Sequence, residues 1–243
     1  MITLTNEADF LRCIRNELVP ENPVTGYGIK GLLEYRNNPC VRHPDNIYLR
    51  YNNQKMRYEG VSPTAQLFQQ IYGKVEKSSD TIFNCWSYFS MFAKGQLNRN
   101  DIKASEALEK LDEIFDRHDE LKKLFDELAD LQHSMANFMP APCGYNGSKT
   151  HDGKGNYARD NDMPDIYYKR SKFDFPNMYK WINENMDNYC LQFFEDYKSP
   201  WSDGNAKNPV KETDIELFTK SVQDAIKCIE NRAYGLNAKM NTK

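Results

Sequence analysis

Apolar residues recur at helical spacing through most of this chain, and the recurrence predicts a mainly α-helical protein. Thr5 to Val19 opens with Phe10, Leu11, Ile14 and Leu18 on one face, and Pro20 and Pro23 end that helix. Ser62-Pro63 reads as a cap and first-turn proline for a helix carrying Leu67, Phe68, Ile71 and Tyr72. Ser79-Asp80 reads as the cap of the next helix, in which Ile82, Phe83, Trp86, Tyr88, Phe89 and Phe92 are apolar almost all round. Such a helix is buried on every side, so it is expected at the centre of the protein, with Gly95 as its stop.

From Ser105 to Gln132, Leu108, Leu111, Phe115, Leu121, Leu124, Phe125 and Leu128 form an apolar stripe against charged outer positions, with His118-Asp119 as a break. The run holds fewer than the roughly three or four sustained heptads a coiled coil needs, so the stripe is assigned to core packing. Asn177 to Phe194 and Thr213 to Tyr234 are expected as two closing helices.

Two stretches depart from this period. Ile47 to Tyr51 and Lys55 to Tyr58 flank Asn52-Asn53 and read as a β-hairpin, the only strands the pattern predicts. Phe138 to Pro176 is rich in Gly, Asn and Asp and reads as a long loop, a length that usually signals function or disorder. The expected organisation is one domain over residues 1–243: an N-terminal helix, irregular region and hairpin (1–61), then a helical body (62–235) interrupted by loop 138–176.

Composition narrows the function classes. Hydrophobic content of 40% and charged content of 28% are those of a globular chain, and 13% aromatic content supplies large core side chains. A net charge of -3 provides no global field for nucleic acid or an anionic membrane. Met1 to Phe10 lacks a basic start and apolar stretch, and no run of about 18 apolar residues occurs, so a cytoplasmic protein without a membrane span is expected. Six single cysteines without C-x-x-C spacing read as free thiols.

Candidate chemistry centres on His133-Ser-Met-Ala-Asn137-Phe-Met-Pro140, where helical periodicity gives way to loop composition. His133 continues the Phe125 and Ala129 face, and Asn137 follows one turn later. Two readings stand: His133 caps its helix C-terminus, where the helix dipole favours a cation, or His133 and Asn137 form a catalytic pair. The second requires partners from the loop, among Tyr145, Asn146, His151, Asp152, Asp160, Asp162 and Asp165, with His151 as a metal ligand for a divalent ion. No metalloprotease, nucleophile-elbow or phosphate-loop motif occurs. Gly26-Tyr-Gly28-Ile-Lys-Gly31 echoes a dinucleotide fingerprint but lacks the preceding apolar strand. Between Lys30 and Tyr58, Arg50 and Arg57 lie among interleaved tyrosines; they suit either phosphate contacts or ion pairs with the acidic 106–130 region.

Ser79-Asp80-Thr81-Ile-Phe-Asn84-Cys-Trp86-Ser-Tyr-Phe89 and His133-Ser-Met-Ala-Asn137-Phe-Met-Pro-Ala-Pro142 resemble an uncharacterised family of bacterial proteins, a domain of unknown function with an H-T-I-G-N-F motif. The likeness spans roughly residues 62–194. It implies binding roles for Asp80 and Thr81, for Tyr145 and Asn146 in place of the family's Asn/Arg loop, and for Asp165 in a D-Y-W-D-like element. Ala136 stands where the family has glycine. The same segment is more distantly similar to the H-x-x-G-N of HNH-type nucleases.

The expected function is a binding or interaction module of a bacterial or phage protein, meeting an unknown protein partner through the surface around His133. The alternative is a metal-dependent phosphodiesterase or nuclease built on His133 and Asn137. Nucleic acid is a possible partner in either case, and no cofactor other than that divalent metal is implied.

Overall fold

A computed structural model of the chain describes residues 28–37, 78–132, 135–141, 168, 172, 176–197 and 209–241. Within them the protein is mainly α-helical. In order come α1 (Gly28–Asn37), β1 (Ser78–Thr81), α2 (Cys85–Gln96), α3 (Ala104–Glu109), α4 (Leu111–Ile114), α5 (Asp119–Leu131) and a 3-10 turn (Met135–Asn137). They are followed by β2 (Phe138–Ala141), α6 (Pro176–Glu184), α7 (Phe193–Asp196), a second 3-10 turn (Glu212–Asp214) and α8 (Ile215–Asn241). The N-terminal helix, the 47–58 hairpin and the helix beginning at Ser62-Pro63 fall outside the described residues.

α2 is the central helix, as its all-round apolar pattern predicts: Cys85 through Lys94 are all buried. One face stacks aromatic rings against α5 and α8. Phe89 and Phe125 meet edge to face with centroids 5.4 Å apart, and Phe92 lies nearly parallel to Phe218 at 6.0 Å. These are the favoured ring geometries and add to the burial of large apolar area. A second aromatic group, Phe83, Phe193 and Tyr197, closes the start of the helix, with Phe83 and Tyr197 edge to face at 5.2 Å. There the hydroxyls of Tyr88, Tyr197 and Ser221 form a buried line, 2.6 Å and 3.0 Å apart, so the polar tips inside the core are paired.

Gly95 is not the stop of α2 but lies inside it, and its role is steric. The chain at Val210 crosses the helix there, its N–H donating to Met91 O at 3.0 Å. A Cβ at Gly95 would fall 1.9 Å from Val210 O, so only glycine admits this crossing.

The expected break at His118-Asp119 is present. Arg117 turns the chain with φ of +66°, and α5 starts at Asp119. His118 at this break is half-buried, its ring edge-on to Phe92 at 5.4 Å and its Nε2 3.1 Å from Gln96 Oε1. Leu121, Phe125 and Leu128 point into the core, which is the packing role assigned to that stripe.

Several boundaries differ from the sequence expectation. Ser79-Asp80 does not cap a helix: residues 78–81 form β1, antiparallel to β2, with Ser78 opposite Ala141 and Thr81 opposite Phe138. The loop expected from Phe138 therefore begins as a strand, and Pro176, its expected end, is the first residue of α6. Four-residue strands carry too few positions to show a period of two, and their pairing partners lie about sixty residues apart. The helix expected over 177–194 is likewise interrupted by turns at 185–192, where Cys190 has φ of +52°.

Candidate functional site

The segment that follows α5 is built into the core by three polar clamps. At the first, the β1–β2 ladder continues past Thr81 with Ile82 N–H donating to Asn137 O at 2.8 Å. The next rung is made by a side chain. Asn137 Oδ1 accepts from Phe83 N–H at 2.8 Å, while Nδ2 donates to Phe83 O at 2.9 Å and to Gln132 O at 2.7 Å. A carboxamide carries the donor and acceptor of a peptide group, so Asn137 replaces the missing strand residue and ties off the end of α5 as well. Its side chain has no solvent exposure.

Gln132 supplies the second clamp. Its Oε1 accepts from Cys85 N–H at 2.8 Å, satisfying one of the backbone donors that the start of α2 leaves without a helical partner. Asn84 immediately before makes no side-chain cap bond, so the cap comes from another helix.

The third clamp is Arg232 on α8, which is 3% exposed. Its Nε donates to Tyr189 O at 2.9 Å and its Nη1 donates to Ala136 O. One guanidinium thus joins α8 to the turn before β2 and to the 185–192 turn. Ala136 is fully buried.

Nearby, the start of α1 is held by acids. Gly28 N–H donates to Asp130 Oδ1 at 2.9 Å and Ile29 N–H to Asp126 Oδ1 at 3.0 Å, so carboxylates from α5 compensate the positive helix end. Gly28 has φ of +54°, and a Cβ there would lie 2.4 Å from Asp126 Oδ1. Of the glycines that echo a dinucleotide fingerprint, Gly28 therefore serves a close approach between two helices, and the anion at this helix start is the protein's own. Asp126 also meets Lys122 at 3.2 Å, and Arg36 at the far end of α1 covers the ring of Trp86 at 4.7 Å.

Cys85 sits beneath this group, fully buried. Burial first, and then the Asp126 and Asp130 charges, push its thiol well above the ordinary range, while Arg36 pulls weakly the other way. The neutral thiol is the favoured form, and the thiolate is the form that a nucleophile needs.

Of the sequence-predicted site residues, the structure brings Asn137 onto the backbone of Phe83 and Gln132, and sets Asp80 and Thr81 on β1 opposite Met139 and Phe138. His133, Tyr145, Asn146, His151, Asp165, Arg50 and Arg57 fall outside the described residues. Among the described residues no group of three or more His, Cys, Asp or Glu side chains is arranged to hold a metal ion. No described helix is long and apolar enough to cross a membrane.

Gln132, Arg232, Asp126 and Asp130 were not singled out in the sequence, yet two of the signals are there. Phe218, Val222, Ala225, Ile229, Arg232 and Leu236 follow one another at alternating spacings of four and three, which puts a charged residue in the buried stripe of a helix. A buried charge requires polar partners, so that position alone flags Arg232. Asp126 and Asp130, one turn apart, share a helix face. Gln132 gives no such signal, because its role depends on where Cys85 lies.

Compared with protein-family models, characterised proteins and solved structures, this chain matches none.

Proposed function

We propose that this protein is a binding or interaction module that engages a partner protein through the surface around His133. The observation that carries this reading is the state of Asn137. Its carboxamide is buried and makes three hydrogen bonds to backbone, so it acts as a strut for the segment that holds His133 and is not a group offered to a ligand. Gln132 on one side of His133-Ser134 and Ala136 and Asn137 on the other are each buried and hydrogen-bonded into the core, and such anchored flanks support a recognition role for the segment between them. Rigid presentation lowers the entropy lost when a partner binds.

The metal-dependent phosphodiesterase reading asks Asn137 to assist catalysis, and no observation favours it: it is left with His133, His151 and loop carboxylates alone. A net charge of -3 likewise gives nucleic acid no general attraction, although Arg50 and Arg57 remain a local basic pair in the sequence.

Crosslinking tests the proposal. Protein carrying a photo-reactive residue in place of Ser134 is illuminated in cell extract with an excess of unlabelled competitor. A discrete adduct that wild type competes away and His133→Ala does not is the expected result. Equal competition by the two proteins overturns the assignment of the surface to His133.

A further inference from the structure

We draw no further inference here: the strongest candidate, the buried Ser87–Ser90–Lys94 stripe on α2, carries nothing because nothing in the structure points to a ligand or partner for it.

Discussion

Asn137 matters because it performs a backbone's work with a side chain. Removing its carboxamide takes a buried hydrogen bond from the N–H of Phe83, one from its C=O and one from the C=O of Gln132, and a buried polar group that loses its bond costs about 1–3 kcal/mol. Asn137→Ala is therefore expected to lower unfolding stability by roughly 2–4 kcal/mol, read from denaturant melts. Asn137→Asp is expected to be no better at neutral pH, since it keeps the acceptor for Phe83 N–H but loses both donors. A loss under about 0.5 kcal/mol in the alanine variant would contradict the strut, since surface substitutions stay in that range. The sequence marks Asn137 as special for its position after a helical run, but two readings fit that position equally: a catalytic carboxamide and a strut. Only the location of Phe83, fifty-four residues earlier, decides between them.

Tyr168 shows a second local effect. Its phenol donates to Asn183 Oδ1 at 2.9 Å and lies 3.3 Å from Glu195 Oε1. Burial first, then its hydrogen bond with Tyr179, raise its pKa from the ordinary 10.0 to about 12, and the charges of Tyr179 and Glu195 add to the rise. The fold thus favours the neutral phenol. Its contribution is complete below pH 10, falls as the unfolded state ionises first, and is gone above about 12. Unfolding midpoints measured between pH 10 and 12 are expected to drop less steeply in Tyr168→Phe than in wild type. Parallel curves would remove this residue from the alkaline response.

α2, α5 and α8 were legible because burial imposes a period on their sequence, whereas α1 lies in what the sequence reads as the irregular part of 1–61. α2 is apolar all round and is buried all round; α5 carries a single stripe and faces the core with it. What periodicity could not show were elements defined by a distant partner: β1 and β2, each four residues long, and the inter-helix caps from Gln132, Asp126 and Asp130. Glycines mislead in the same way. Gly95 reads as a helix stop and is instead a crossing point, because the strand of chain that needs the space is over a hundred residues away. The crossing can be tested against a milder one on α8, where a Cβ at Gly235 would meet Cys190 Sγ at 3.1 Å. Gly95→Ala must displace backbone and is expected to cost about 2 kcal/mol or more, whereas Gly235→Ala needs only a side-chain shift and should cost under about 1 kcal/mol, partly offset by the better helix propensity of alanine. Equal melting temperatures for the two variants would count against the crossing.

Over the molecule as a whole, apolar residues from Ile29 to Leu236 join one core cluster, and the polar clamps sit at its edge where α5 ends. Arg232 brings the long C-terminal helix into that arrangement, so Ala136 is tied to α8 while Asn137 is tied to the end of α5 and to Phe83 just before α2. Such bracing favours recognition by a fixed surface. It gives catalysis no free carboxamide at Asn137, which is the point on which the binding-module and phosphodiesterase readings part. The decisive measurement is cleavage of single- and double-stranded DNA and RNA by wild type and His133→Ala with Mg²⁺, Mn²⁺ or Zn²⁺. No cleavage that depends on His133 is expected. Metal-dependent cleavage that His133→Ala abolishes, while its melting temperature stays at the wild-type value, would contradict the account.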